Sequence, residues 1–142
     1  MYGLNNRQFQ RIFRIAKQMQ GSTSLNLLIV LESRLDNLVY RMNFAPTRRA
    51  ARQLVNHGHV LVNGKKCDIP SVIINVGDTI TIKEKSRNLP IVKANMENQT
   101  LKFVNVDTAS FSGKYVRFPE RQELNPDINE TYVVEWFSRI VK

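Results

Sequence analysis

The stretch Thr47-Arg-Arg-Ala-Ala-Arg-Gln-Leu-Val-Asn56 concentrates the residue types that can do chemistry in this chain of 142 residues. On a helix that turns about 100° per residue, Ala50, Ala51, Leu54 and Val55 share one arc. Arg48, Arg49, Arg52, Gln53 and Asn56 take the opposite arc, which holds three guanidiniums, two amides and no carboxylate. A guanidinium is a planar fork of donors that matches phosphate, and an amide can reach a base edge or a sugar hydroxyl. A merely solvated helix face would normally set Glu one turn from such arginines, and none is present. Thr47 is a suitable N-cap, and the N-terminal amides and dipole behind it also suit phosphate.

The neighbouring segments extend this surface. Arg34 and Arg41, with Asn37 and Tyr40 between them, are seven residues apart and fall on nearly one side of the preceding helix. Taken singly, each of these two arginines reads equally well as the partner of Glu32 or Asp36. Lys65 and Lys66 follow an Asn-Gly turn and carry the charge to a hairpin tip, while His57 stands beside the helix as a contact or packing residue. His57 and His59 flank a glycine, but Cys67 is the single thiol and no second ligand pair stands at metal spacing. No metal or other cofactor is therefore expected. With no phosphate-cradling glycine loop and no nucleophile elbow, neither catalysis nor a small-molecule substrate is expected.

The net charge of +9 supports a polyanionic partner through its distribution. Residues 1–66 hold eleven Lys/Arg and two acids, and the remainder holds ten of each, so the whole excess lies in the first part. A concentrated excess is the footprint of nucleic-acid binding. A membrane surface would call for an amphipathic helix with exposed Trp or Phe, yet Trp136 lies at the far end. The longest apolar run, Leu27–Leu31, falls far below the roughly 20 residues that span a bilayer. One cysteine cannot form an internal disulfide, which fits a reducing cytoplasm.

Four kinds of element must position these residues. The spacing of Phe9, Ile12, Phe13, Ala16 and Met19 predicts a helix over 5–20, with Arg7, Arg11, Arg14 and Lys17 on its other side. The stretch 25–42 reads as two short helices meeting near Ser33, which can cap the second. Asn43-Phe-Ala-Pro46 breaks the pattern before the arginine helix, which runs to about His57 with Gly58 as its stop. Val60–Val62 and Lys65–Cys67 form a hairpin about Asn63-Gly64, and Val76-Gly77-Asp78 leads into a strand at Thr79–Lys83. A weaker strand pair is expected at 103–107 and 114–118, joined around Ser112-Gly113, and a last apolar segment at Tyr132–Val141. The fold class is α+β, with short helices packed on a small, mainly antiparallel sheet.

Residues 34–82 resemble the S-four RNA-binding domain. The resemblance rests on Arg34-Leu-Asp-Asn-Leu-Val-Tyr-Arg41, Thr47–Val55, His57-Gly-His-Val-Leu-Val-Asn-Gly64 and Val76-Gly-Asp78. That module alone leaves open an RNA-modifying enzyme or a synthetase carrying it as an appendage. The flanks, Tyr2-Gly-Leu, Arg7-Gln-Phe9, Phe118-Pro-Glu-Arg121 and Asp127-Ile-Asn-Glu130 with Val133–Ser138, are similar to the bacterial small-subunit ribosomal protein S-four family. The resemblance implies a structural constituent of the small subunit that binds small-subunit ribosomal RNA, nucleates assembly, contributes to decoding accuracy and meets neighbouring ribosomal proteins. It also implies a helical lobe from residues 1–33 and 119–142, with 34–118 inserted as the RNA-binding lobe. Family members normally begin with a further basic segment, in some cases with zinc-ligand cysteines, ahead of the Tyr-Gly motif. Because this chain starts at Met1-Tyr-Gly, that segment is expected to be missing. A free RNA-binding translational repressor is the alternative, and a helix-turn-helix DNA binder a distant third.

Overall fold

The fold is given by a computed structural model, which describes residues 6–19, 21, 23–93, 100 and 102–119. The chain divides into two compact units, with the boundary between Glu32 and Ser33 and the second unit running to Phe118. The expected apolar segment Tyr132–Val141 lies outside the described residues.

In the first unit, α1 (Asn6–Gln18) and α2 (Thr23–Glu32) pack together. Ile12, Phe13 and Ala16 form the buried stripe of α1, while Arg7, Arg11, Arg14 and Lys17 are exposed. Helix α2 is apolar nearly all round, and Leu27, Leu28, Val30 and Leu31 are all buried. Asn26, a buried polar residue of α2, donates through Nδ2 to the carbonyls of Ala16 and Met19, both at 3.4 Å. Those are carbonyls at the C-terminus of α1, which lack partners within the helix.

The second unit carries α3 (Leu35–Arg41) and α4 (Arg48–Asn56) against a five-stranded sheet. The strands are β1 (Val60–Val62), β2 (Lys65–Lys66), β3 (Thr79–Ile82), β4 (Val104–Asp107) and β5 (Ser112–Tyr115). They lie in the order β2-β1-β3-β5-β4 and every neighbouring pair is antiparallel, so the α+β class holds. Val60, Ile80, Ile82, Val104 and Tyr115 point into one core with Leu35, Leu38, Val39, Ala51, Leu54 and Val55. At the Asn63-Gly64 turn both residues have positive φ, 51° and 83°, as a type I′ turn demands. A 3₁₀ turn at Glu84–Ser86 and a short α5 (Pro90–Lys93) follow β3.

Two expectations about element ends are corrected. Ser33 does not cap α3. The N-cap is Arg34, while the Ser33 hydroxyl bonds the Tyr115 hydroxyl at 2.8 Å. The first amides of α3 are instead taken by loop carbonyls, Leu35 to Val72 at 2.9 Å and Asp36 to Pro70 at 3.1 Å. Nor do Ser112 and Gly113 form a turn. They lie within β5, and the reversal is at residues 108–111, where Phe111 has φ of 51°. Phe111 is held there by its carbonyl, which accepts from Ile82 at 2.9 Å, and by Arg87 stacked 5.5 Å over its ring.

Gly113 is a glycine for a different reason, which is the close approach of Met42. A Cβ at this position would run into the Met42 Sδ, and Met42 is fully buried with little room to yield. Gly113→Ala should therefore destabilise the fold by about 1–3 kcal/mol, the usual range for overpacking a core. Urea unfolding checks this, and an unchanged midpoint would mean that Met42 relocates freely.

Candidate nucleic-acid interface

Helix α4 begins as expected, with Thr47 Oγ1 accepting from the Ala50 amide at 3.0 Å. It ends in a Schellman motif. The Gly58 amide reaches the Val55 carbonyl at 3.0 Å and the His59 amide the Leu54 carbonyl at 3.1 Å, with φ of 78° at Gly58. Helix α3 ends the same way about Asn43, φ 64°, with the Phe44 amide on the Val39 carbonyl at 3.1 Å. Polar residues of α3 meet Arg48 and Arg52 of α4.

Three residues of α3 hold those arginines. Asn37 Oδ1 accepts from Arg48 Nε at 2.9 Å, and the Arg48 guanidinium lies 4.7 Å over the Tyr40 ring. Asp36 Oδ2 accepts from Arg52 Nε at 3.3 Å. The same carboxylate takes Arg34 as a two-point partner, Nε to Oδ1 at 3.2 Å and Nη2 to Oδ2 at 3.1 Å, and the Asn37 amide at 2.7 Å. Arg41 also lies over the Tyr40 ring, at 5.7 Å.

The structure separates the expected contact residues into two groups. Thr47, Arg49, Gln53, Asn56, His57, Lys65 and Lys66 are exposed, and Arg41, Arg48 and Arg52 are partly so. Arg34 and Asn37 are corrected: each is 2% exposed, inside the unit rather than on its face. Seven-residue spacing placed Arg34 beside Arg41 on one helix, but Arg34 precedes α3 as its N-cap with extended φ and ψ of −66° and 144°. Its charge is directed at Asp36. The expectation of a carboxylate-free arc needs the same amendment, since Asp36 reaches Arg52 from the neighbouring helix.

Two features escaped the sequence reading of the site. The sequence offers Asp36 as a partner of Arg34 or Arg41 but not of Arg52, because helix spacing shows neighbours on one helix and not across two. The exposed row Arg7, Arg11, Arg14 on α1 was seen only as helix polarity. Its spacing of four and three with no acid in α1 was signal enough to count it as a second basic face.

A model of the S4 domain matches residues 33–80. The small ribosomal subunit protein uS4 of Malacoplasma penetrans is 62% identical over 99% of this chain and 70% of that protein. Those of Mycoplasmoides gallisepticum and Mycoplasma pneumoniae are 58% and 56% identical over all of this chain and 69% and 70% of theirs. The chain belongs to the uS4 family. The matched domain contains every α3 and α4 residue of the arginine network and the hairpin lysines.

Beside the uS4 arginine face, α4 borders a recess of about 210 Å³ lined by Ala50, Gln53, Leu54, His57, His59 and Leu89. His59 Nδ1 is 2.6 Å from Ser86 Oγ, and its ring meets that of His57 edge-on at 6.2 Å. Burial, with smaller contributions from His57 and Lys83, lowers the His59 pKa below its ordinary 6.5.

Two outcomes follow. Asp36→Asn removes the partner of a buried guanidinium and should cost about 3–5 kcal/mol in chemical denaturation; a loss under about 1 kcal/mol would show no net stabilisation by the pair. For His59, the unfolded chain takes up its proton at a higher pH than the folded one. Stability is therefore full above pH ~6.5 and falls as pH drops from there toward the folded pKa. The urea midpoint should decline between pH ~7 and ~5.5, and His59→Gln should flatten the decline.

Proposed function

We infer that this chain is a structural, non-catalytic constituent of the small ribosomal subunit that binds small-subunit ribosomal RNA directly. Membership of the uS4 family carries the subunit assignment, since its relatives are named as small ribosomal subunit proteins. Family membership also implies a cytoplasmic protein that meets neighbouring ribosomal proteins, nucleates subunit assembly and contributes to decoding accuracy. Among the described residues no helix is long and apolar enough to cross a membrane.

One observation supports the site: Arg48 and Arg52 of α4 are oriented before any RNA arrives. Arg48 is held by Asn37 and Tyr40, and Arg52 by Asp36. Arg49, Gln53, Asn56, His57, Lys65 and Lys66 are exposed around them, with Arg41 and Thr47 at the margin. Arg34 and Asn37 act as supports rather than contacts. Duplex RNA hides its base edges in a deep, narrow groove, so such a surface reads backbone and shape. Residues 1–33 with 119–142 are proposed as the helical lobe, with the exposed Arg7, Arg11, Arg14 row as a second phosphate contact, and 34–118 as the inserted lobe.

The test uses exposed cations that lie outside the network joining α4 to α3. The triple variant Arg49→Ala, Lys65→Ala, Lys66→Ala should keep its melting midpoint. Its affinity for small-subunit ribosomal RNA should fall, and the log–log salt slope should lose roughly 2–3 units for three phosphates no longer neutralised. An unchanged slope would place the phosphate contacts elsewhere. Replacing Arg48 and Arg52 instead would confound binding with stability, because both also join α4 to α3.

A further inference from the structure

We propose that the recess beside α4 takes one unstacked RNA base, so that the interface reads a nucleotide as well as the backbone. This rests on the RNA-binding reading above. The recess lies in a single unit, and two of its lining residues, Gln53 and His57, also belong to the exposed polar surface of α4. A chain of phosphates tracked by Arg49 and Asn56 therefore passes its mouth.

Size and lining both fit a base. About 210 Å³ lies between a cavity of roughly 150 Å³ that accepts benzene and the roughly 300 Å³ where drug-sized pockets begin, which suits a planar one- or two-ring heterocycle. The floor is apolar: Leu54 and Ala50 are almost wholly buried, and Leu89 closes one side. The two imidazoles offer stacking surfaces, as aromatic and histidine rings do for splayed bases. Gln53 offers both a donor and an acceptor for the exposed edge of a base.

The geometry arises from the helix stop. The Schellman bond from the His59 amide to the Leu54 carbonyl packs the residue after the turn against the last turn of α4, which forms the wall. Ser86 then fixes the His59 ring through its 2.6 Å contact. Because burial lowers its pKa, His59 is neutral near pH ~7 and presents no charge to a neutral base. Cations stand at the rim. The Lys66 side chain lies across Gly58, where an added Cβ would come within 2.7 Å of its Cε, and Lys83 stands near enough to act on His59. Either can meet the phosphate that flanks an extruded base.

The experiment compares base-specific chemical modification of folded small-subunit ribosomal RNA bound to the full chain, to Ala50→Leu and to Gln53→Ala. Hydroxyl-radical cleavage of the backbone runs in parallel. Ala50→Leu fills the recess. Gln53→Ala removes the edge contact from an exposed position, so it decides the question should the first variant fail to fold. One base protected by the wild-type chain should regain reactivity in both variants. Affinity should fall about tenfold, in the range of one stacked base, while backbone protections and the salt slope stay as they were. Unchanged base reactivity with unchanged affinity would overturn the proposal, including the case in which a neighbouring protein's side chain fills the recess. Absence of backbone protection by the wild-type chain would instead bring down the RNA-binding reading itself.

Discussion

Asp36 ties the packed helix to the presented one. Its two oxygens accept from Arg34 twice, from the Asn37 amide and from Arg52, all within the second unit. Dehydrating a carboxylate and a guanidinium costs several kcal/mol per ion, offset only when close to all their bonding capacity is used. Asp36 meets that demand. Arg34 does not quite: its Nη1 is buried with no hydrogen-bond partner among the described residues. An apolar pair of similar volume is often no less stabilising on energy alone. What an apolar pair could not do is reach Arg52 on the next helix, whose side chain is 35% exposed, and orient it.

The same logic runs along both helices. Asp36, Asn37 and Tyr40 lie on one side of α3 at spacings of one, three and four, and Arg48 and Arg52 are one turn apart on α4. Carboxylate, amide and ring of one row receive the guanidiniums of the other. Each helix stops in a left-handed residue, Asn43 for α3 and Gly58 for α4, which reverses the chain there. Gly58 serves twice, since the absence of a side chain also lets Lys66 cross from the hairpin to the end of α4. A turn residue thus brings two basic elements, distinct in sequence, onto one surface.

How much of this was legible follows from the range of each signal. The polar arc of α4, its Thr47 cap, the Gly58 stop and the Asn63-Gly64 turn are local, and each was readable from spacing and residue type. Arg34 was misread because a seven-residue repeat has meaning only within one continuous helix, and the chain is extended at Arg34. Gly113 was misread because a Ser-Gly pair signals a turn, whereas here the missing side chain makes room for Met42 from 71 positions earlier in the chain. Ser33 was read as a cap because its actual partner, Tyr115, is 82 residues away. The recess needed Leu89 and Ser86 brought back against α4, which no periodicity announces. Local chemistry was visible; contacts across the sheet were not.

The arrangement divides labour between two kinds of cation. Lys65 and Arg49 are exposed on long side chains, so in the proposed interface they would contribute mainly a salt-sensitive attraction. Arg48 and Arg52 have had much of their conformational freedom removed during folding, through Asn37, Tyr40 and Asp36. Folding has already met the cost of ordering them, and binding gains from the difference. Preset forks also tolerate fewer backbone geometries than mobile ammoniums, so they favour an RNA whose phosphates already stand where the forks point. In the proposed interface, the buried carboxylate of α3 would then favour a preordered backbone over a flexible strand without itself touching RNA.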